Sequence, residues 1–151
     1  MAYNKTTWVD GSTPAISAAN LNNIEDGIYG HDVDISAIKT ALAVEDISAQ
    51  LTLGGAWSQL IRVAYRVGNM VFFYIEASTS SYTADYDYTI ATFASGYRPS
   101  GSVVCNGYTT DGNYNPKSVV SAILQSNGGL HVRASNNSGA YFFVTGFFKI
   151  G

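Results

Sequence analysis

Residues 61–77 have the sequence IRVAYRVGNMVFFYIEA, in which two runs of β-branched and aromatic residues flank Gly68-Asn69. Residues of these types favour β-strands, and a Gly-Asn pair between such runs is typical of a two-residue hairpin turn. The stretch therefore predicts an antiparallel hairpin, with one strand from Ile61 to Val67 and the next from Met70 to Ala77.

Five more strand-like runs follow this hairpin, and no helical pattern separates them. They are Tyr88 to Phe93, Gly101 to Tyr108, Ser118 to Gln125, Leu130 to Ala134 and Tyr141 to Ile150. Short strands separated by turn signals, such as Asp111-Gly112, are typical of an antiparallel β-sandwich or jelly roll. The last run is apolar on both faces, so we expect it at the centre of the sandwich or at a subunit interface. The sequence thus predicts a β head over residues 51–151.

Before the head, apolar residues recur at alternating spacings of three and four, which is the heptad repeat of a coiled coil. The ladder comprises Leu21, Ile24, Ile28, His31, Ile35, Ile38, Leu42 and Glu45. We expect a helix from about Ala18 to about Gln50, capped by Ser17, and hence a helical stem over residues 17–50. A seam of this period packs against copies of itself. Packing of the ladder on the head within one chain is the alternative.

The residues of the ladder favour a parallel trimer. Isoleucine at d positions, such as Ile24 and Ile38, favours three or four strands over two. Asp34 at a g position and Lys39 at the following e position can form an ion pair between neighbouring helices. His31 is the polar residue in this seam, and it either sets the register or holds an anion, a water or a metal on the axis.

Composition excludes several classes of function. The chain is 46% hydrophobic and only 13% charged, which indicates a packed protein rather than a disordered one. Residues 1–50 hold two basic and seven acidic side chains, whereas residues 51–151 hold six and four. Neither part has the basic density of a nucleic-acid-binding surface.

We also expect no targeting or membrane segment and no disulfide. Residues 1–13 lack the apolar core of a signal peptide, and no stretch approaches the roughly 18 apolar residues of a membrane span. Cys105 is the only cysteine, so it cannot form an intrachain disulfide, and its apolar surroundings predict a small buried side chain.

Three segments resemble tail-fibre and baseplate proteins of phages that infect Gram-positive bacteria. Residues 8–28, WVDGSTPAISAANLNNIEDGI, contain the Trp, the Pro with Ile-Ser-Ala, the Asn-Leu-Asn and the Ile-Glu followed by Gly-Ile that recur at the start of those proteins. Residues 93–99, FASGYRP, are similar to a Gly-Tyr-Arg-Pro loop common in tail-fibre heads. Residues 126–132, SNGGLHV, and the aromatic last strand also resemble those heads.

The resemblance implies a homotrimeric receptor-binding protein of the virion tail, made in the cytoplasm of the bacterial host. Residues 1–16, which include Trp8, Pro14 and Ile16, would form an extended segment that docks on other tail or baseplate proteins. The helical stem would hold the trimer together, and the β head would bind a saccharide of the host cell wall.

Two predicted loops of the head, from Tyr82 to Tyr88 and from Tyr108 to Asn115, carry the residue types that bind sugars. An aromatic ring packs against the C–H face of a sugar, while carboxylates and amides bind its hydroxyl groups. The candidate saccharide-binding residues are Tyr82, Asp85, Tyr86, Asp87, Tyr108, Asp111, Asn113 and Tyr114. The alternative for each tyrosine is an ordinary place on a strand or at a subunit interface.

Catalytic motifs are missing from the sequence. It has no Cys/His metal spacing, no phosphate-binding glycine loop and no Gly-x-Ser-x-Gly motif, so we expect no enzyme, no cofactor and no metal. Asp85 and Asp87 have the residue type of a glycosidase pair, but so small a head leaves little room for a hydrolase groove. A Ca²⁺ site at Asp85 and Asp87, or at Asp111 and Asn113, is a minor alternative.

The sequence therefore predicts a phage receptor-binding protein that recognises a saccharide without catalysis. The main alternative is a structural tail or baseplate component that binds no receptor, and a cellular adhesin or lectin of similar shape is a third hypothesis. A smooth apolar exterior would favour the structural role, whereas an aromatic, polar cleft would favour saccharide binding.

Overall fold

The computed structural model describes residues 17–137 and 140–151, and the chain divides into two compact units. The first unit ends at Ala43 and contains a helix, and the second, the β unit, spans Val44–Gly151. The predicted docking residues Trp8, Pro14 and Ile16 lie outside the described residues.

The helix α1 runs from Ala18 to Ala41 and begins at the predicted cap. The side-chain hydroxyl of Ser17 accepts a 3.2 Å hydrogen bond from the N–H of Asn20, which satisfies one of the free donors of the first turn. None of the residues of α1 is buried, and the ladder residues Ile28 and Ile38 are more than half exposed. Within the described part of the chain, no helix has the length and hydrophobicity to span a bilayer.

The helix is shorter than the predicted stem of residues 17–50. After α1 the chain forms strand β1 at Val44–Asp46, and the next residue, Ile47, is buried in the core of the β unit. The predicted ladder residue Glu45 therefore lies in a strand. Residues 44–50 belong to the β unit because strand pairing and burial of Ile47 stabilise them there.

In the described residues, nine strands form one antiparallel sheet in the order β1-β3-β4-β9-β6-β7-β8-β5-β2. The prediction of a mainly β chain with an N-terminal helix is confirmed, and the predicted hairpin is β3–β4, with Gly68 at φ 57°. The strands after β1 are β2 (Leu51–Leu53), β3 (Ser58–Val67), β4 (Met70–Ser78), β5 (Tyr88–Phe93), β6 (Val103–Thr110), β7 (Pro116–Leu124), β8 (Gly129–Ala134) and β9 (Tyr141–Lys149).

The sheet curls around a single core instead of forming the two separate sheets of the predicted sandwich. The inner face contributes buried side chains from strands across the sheet, including Phe73, Phe93 and Phe148. Arg62 on β3 donates a 2.7 Å hydrogen bond to the carbonyl of Leu51 on β2, so the two edge regions of the sheet come together.

Irregularities in the strands make this curvature possible. The register shifts between Gln59 and Ile61 on β3, within β5 and near the end of β6, and such bulges bend a strand. At Gly146 on β9, a side chain would come within 2.9 Å of Phe73 and of the sulfur of Cys105. The absence of a side chain there lets β9 approach the core closely.

The loops that connect the strands lie at two opposite ends of the sheet. The β4–β5, β6–β7 and β8–β9 loops share one end, the loop end, as the pairs Ser78–Tyr141 and Thr110–Tyr141 show. Strand β1 begins at the other end, where Val44 pairs with Val67. The loop end therefore lies a strand length, roughly 30 Å, from the point where the chain enters the β unit.

Candidate functional site

A pocket of about 500 Å³ opens at the loop end, and all three loops contribute to its lining. This loop-end pocket combines hydroxyl groups, an amide, a carboxylate and an aromatic ring. The lining residues are Thr79, Ser80, Ser81 and Tyr82 from the β4–β5 loop, Asp111 and Gly112 from the β6–β7 loop, and Asn137 and Ala140 from the β8–β9 loop.

Hydrogen bonds between the loops hold the loop-end pocket in shape. The N–H of Thr79 donates to the carbonyl of Ala140 at 3.1 Å, and the N–H of Ala140 donates to the carbonyl of Thr110 at 3.1 Å. The N–H of Ala84 also donates to Oδ1 of Asn137. The pocket is thus built on paired backbone groups rather than on free loop tips.

Tyr82 forms an aromatic wall of the loop-end pocket. Its hydroxyl donates a 2.8 Å hydrogen bond to the carbonyl of Asn136. Its ring packs edge-on against the core residue Phe142, with 4.9 Å between the ring centroids, an arrangement that aromatic pairs favour. Tyr82 is therefore fixed both by a polar contact and by the core.

Asp111 places a fixed negative charge in the same pocket. Nζ of Lys117 lies 3.0 Å from Oδ2 of Asp111, Nδ2 of Asn115 donates to both carboxylate oxygens, and the backbone N–H of Asn113 donates to Oδ1 at 2.9 Å. These donors, Lys117 first and Asn115 next, hold the pKa of Asp111 well below its ordinary value of 3.8. The carboxylate is consequently ionised at neutral pH.

The middle of the first predicted loop lies outside the pocket lining. Asp85 adopts φ 59° and its carboxylate lies 3.5 Å from Nε of Arg133. Both carboxylate oxygens of Asp87 lie 3.2 Å from Nδ1 of His131. Tyr86 is exposed and its ring centroid lies 4.9 Å from that of Tyr88. Asp85 and Asp87 are therefore placed beside basic side chains of β8.

The tyrosines of the second predicted region lie on the outer face of the sheet. The ring of Tyr108 stacks on Phe143 with 4.9 Å between centroids and 6° between planes, and the ring of Tyr114 lies 6.0 Å from Phe143. Asn113 supports the β6–β7 loop through its backbone bond to Asp111. Of the predicted candidates, only Tyr82 and Asp111 line the loop-end pocket.

No protein-family model matches the sequence, and no curated protein matches it either. Among solved structures, the receptor-binding protein gp15 of Listeria phage PSA superimposes with a TM-score of 0.58, over 93% of this chain and 92% of that chain. This chain shares its fold with that phage protein. The two sequences are 10% identical, so the likeness establishes the fold and assigns no individual residue.

Six of the eight residues that line the loop-end pocket were not predicted from the sequence. These residues are Thr79, Ser80, Ser81, Gly112, Asn137 and Ala140. The run of small polar residues at 78–81, next to a predicted aromatic loop, was the available signal for the first three. Nothing local indicates that the β8–β9 loop meets the other two, because this contact depends on strand order.

Side chains that suit metal or thiol chemistry are not gathered at a site in the described part of the chain. Residues 17–137 and 140–151 contain no group of three or more His, Cys, Asp or Glu side chains arranged to hold a metal. Cys105 is buried on the inner face of β6, and burial raises the pKa of its thiol. Cys105 is therefore a core side chain, as the sequence predicted.

A second surface feature lies on the outer side of the sheet, across strands β3, β4, β9, β6 and β7. Large apolar side chains are exposed there, although each alternates along its strand with a core residue. This outer apolar face is defined by Tyr65, Phe72, Val104, Val119, Ile123 and Phe147. Groups of exposed apolar side chains often mark surfaces that contact another molecule.

Proposed function

We propose that this chain is a phage tail receptor-binding protein. It forms a homotrimer and binds a saccharide of the host cell surface, without catalysis, in the loop-end pocket of its β unit. In this proposal the protein resides in the virion tail. Residues 1–16, with Trp8, Pro14 and Ile16, are the segment that docks on other tail or baseplate proteins.

The composition and position of the loop-end pocket carry this proposal. Saccharide sites combine an aromatic ring with converging hydroxyl, amide and carboxylate groups. In the loop-end pocket, Tyr82 supplies the ring, Asn137 the amide and Asp111 the carboxylate, and the neighbouring serines supply hydroxyl groups. The pocket also lies at the end of the sheet opposite the point where the chain enters it.

The likeness of fold supports the phage context. The solved structure that this chain resembles is a receptor-binding protein of a phage of Listeria, and the resemblance of residues 8–28 to tail proteins of phages of Gram-positive bacteria points independently in the same direction. The two observations concern different properties, since one is three-dimensional and the other is a local sequence pattern.

The exposed seam of α1 supports the homotrimer. Leu21, Ile28 and Ile35 at a positions are all about half exposed in the single chain, and a heptad seam becomes buried when helices wrap around one another. Three β units on one stem also suit a weak saccharide site. Linking several weak sites can raise overall affinity by roughly 10²–10⁴ without any new contact.

The carboxylates of the β unit support recognition rather than hydrolysis. A glycosidase needs two carboxyl groups on either side of one sugar bond. In the loop-end pocket, Asp111 is the carboxylate of the lining, whereas Asp85 and Asp87 lie beside Arg133 and His131. This distribution favours binding without turnover.

A saccharide-binding assay with the full-length protein tests the proposal. The native protein, and an unfolded sample as the control, are applied to a glycan array and to purified wall polysaccharides from a panel of Gram-positive hosts. We expect the native protein to bind one polysaccharide class and to release no reducing ends from it. Failure to bind any fraction would refute saccharide recognition, and release of reducing ends would refute its non-catalytic character.

A structural tail or baseplate component is the second candidate function, and the outer apolar face favours it. Such a face is typical of surfaces that are covered in an assembly. The two functions differ in one observable property. A purely structural component binds neighbouring tail proteins through this face and binds no wall polysaccharide, whereas the receptor-binding protein binds polysaccharide in isolation.

A further inference from the structure

The loop-end pocket has a negative charge and no positive charge in its described lining. Asp111 supplies the carboxylate, and the other described lining residues are Thr79, Ser80, Ser81, Tyr82, Gly112, Asn137 and Ala140. Lysine, arginine and histidine are absent from this described set. Phosphate and carboxylate groups are usually bound in proteins by arginine and lysine side chains. The described lining therefore lacks the side chains that an anionic ligand needs.

Lys117 pairs with Asp111 without contributing to this lining. Its Nζ lies 3.0 Å from Oδ2 of Asp111. Lys117 belongs to strand β7, whereas the pocket is lined by residues of the three loops at the end of the sheet. The member of this ion pair that lines the pocket is thus the carboxylate.

The hydrogen-bonding capacity of Asp111 is used within its own loop. Oδ1 accepts from the backbone N–H groups of Asn113 and Asn115 at 2.9 and 3.1 Å, and Nδ2 of Asn115 donates to both carboxylate oxygens. These bonds and the contact with Lys117 occupy the roughly four lone-pair sites of a carboxylate. Asp111 therefore acts on a ligand in the pocket mainly through its charge, which falls off over roughly 8 Å at physiological ionic strength.

Asn137 supplies a hydrogen-bond donor to the same pocket. The backbone N–H of Ala84 donates to Oδ1 of Asn137. Because a backbone N–H can only donate, this bond fixes which end of the amide is the oxygen. Nδ2, with its two N–H groups, is the end left for a ligand, and a hydroxyl or carbonyl oxygen of a sugar is a suitable acceptor.

We propose that the loop-end pocket selects an uncharged sugar unit, with Nδ2 of Asn137 donating to an oxygen of that unit and the carboxylate of Asp111 excluding sugars that carry phosphate or carboxylate groups. The inference rests on the saccharide recognition of the proposed function and deepens it by naming the class of sugar. Where a wall polysaccharide has an anionic backbone, the pocket binds an uncharged branch and not the backbone itself.

Competition between repeat units of the wall polysaccharide tests this selection. The polysaccharide that the full-length protein binds is cleaved into its repeat units, and anion exchange separates the uncharged units from the acidic ones. Each pool then competes with the intact polysaccharide for the protein. We expect the acidic pool to require an at least about tenfold higher concentration than the uncharged pool. This ratio should shrink in 1 M NaCl, where the Debye length is roughly 3 Å.

Two variants connect this ratio to the charge of Asp111. Asp111→Asn should bring the two pools to within about threefold of each other, whereas Lys117→Gln, which keeps the carboxylate and its bonds to Asn113 and Asn115, should widen the ratio. Asp85→Asn is the matched control because its carboxylate lies beside Arg133, outside the pocket lining. A ratio that Lys117→Gln narrows would contradict the proposal, even if Asp111→Asn fails to fold.

Asn137→Asp tests the donor. The new side chain keeps an oxygen for the N–H of Ala84 and replaces the Nδ2 donors with a second acceptor, so the fold should persist and thermal unfolding should show it. Affinity for the uncharged pool should fall at least about tenfold. The matched control is Asn127→Asp, since Oδ1 of Asn127 likewise accepts a backbone N–H, that of Gly129, on the β7–β8 turn. Wild-type affinity in a folded Asn137→Asp protein would contradict the role of Asn137.

The outcomes separate this inference from the proposed function. Equal or better competition by the acidic pool, or a preference for the uncharged pool that salt does not change, would overturn the inference and leave saccharide recognition standing. Competition by neither pool would also overturn it, because the intact polysaccharide would then be bound by something other than one sugar unit. If the wild-type protein binds no wall polysaccharide, the proposed function fails and this inference fails with it.

Discussion

The hydroxyl of Tyr82 donates a 2.8 Å hydrogen bond to the backbone carbonyl of Asn136, and this bond joins two loops that are far apart in the sequence. One of these loops follows β4 and the other follows β8, yet both line the loop-end pocket. The shape of the proposed receptor site therefore depends on a contact that only the folded sheet can make.

Replacing Tyr82 with phenylalanine removes this bond and keeps the ring against Phe142. We expect Tyr82→Phe to lower the free energy of unfolding by about 1 kcal/mol, the net contribution of an ordinary hydrogen bond, and to weaken polysaccharide binding severalfold. Urea unfolding and a binding titration measure the two effects. Tyr86→Phe is the matched control, because Tyr86 is exposed and lies outside the pocket lining. An equal loss in both variants would contradict this role of Tyr82.

Asp111 is expected to make stability depend on pH. Its pKa in the folded protein lies below the ordinary value of 3.8, so its ionised form stabilises the fold above that value, and this contribution is lost as the pH falls through the folded pKa. Wild type should be more stable than Asp111→Asn at pH 5 to 7, and the difference in Tm should shrink below about pH 4. Thermal unfolding across this pH range measures the difference in Tm. Asp85→Asn, which removes a carboxylate outside the pocket lining, is the control variant. A difference that grows on acidification would contradict the assignment.

Gly146 is expected to tolerate no side chain. A Cβ there would lie 2.8 Å from the ring of Phe73 and 2.9 Å from the sulfur of Cys105, and overpacking of a core costs about 1–3 kcal/mol. Gly146→Ala should therefore lower the urea midpoint clearly. Gly55→Ala, where nothing lies within 4 Å, should leave stability unchanged or slightly higher. Equal behaviour of the two variants would refute the close approach of β9 to the core.

The seam of α1 is expected to contribute to the trimer. Ile28→Asp with Ile35→Asp removes two isoleucines per helix that the proposed coiled coil would bury, each worth about 1.5–3 kcal/mol, so the proposed trimer should dissociate at a concentration at least about 100-fold higher. Tyr29→Asp with Val33→Asp is the matched control, since these residues are exposed at b and f positions off the seam. Sedimentation over a range of concentrations compares the two. Equal dissociation of the two variants would contradict the coiled coil.

The longer strands were predictable because each has a local signal. The hairpin around Gly68 and the strand at Tyr88–Phe93 follow from residue type and turn chemistry within a few neighbours. Strands β1 and β2 have only three residues each, too few to show a period. The heptad spacing also continues by coincidence through Leu42 and Glu45, which is why the helix was predicted to extend too far.

The strand order and the curl of the sheet could not be read from the sequence. Strand β9 lies between β4 and β6, and no local pattern encodes so distant a pairing. The outward aromatic residues of β9 were nevertheless informative. They predicted a central strand or a subunit interface, and Phe147 is exposed on a strand that is central in the sheet.

The candidate site was predictable only in part, because the strand order brings together the loops that form it. Tyr82 and Asp111 carry recognisable sugar-binding chemistry and the fold brings both to the loop-end pocket. Asp85 and Asp87 have similar chemistry, but the left-handed turn at Asp85 carries this segment to the basic side chains of β8. Ser80 and Asn137 have no distinctive local pattern, and their place follows from the convergence of three loops.

Polysaccharide binding by a variant with a blocked pocket tests the central claim most directly. Ser80→Arg places a large side chain in the lining of the loop-end pocket, and Thr92→Arg adds the same charge at an exposed position on β5. With the wall polysaccharide that wild type binds as the probe, the account predicts at least a tenfold loss of affinity for Ser80→Arg and wild-type affinity for Thr92→Arg. Unchanged binding by a correctly folded Ser80→Arg protein would contradict it.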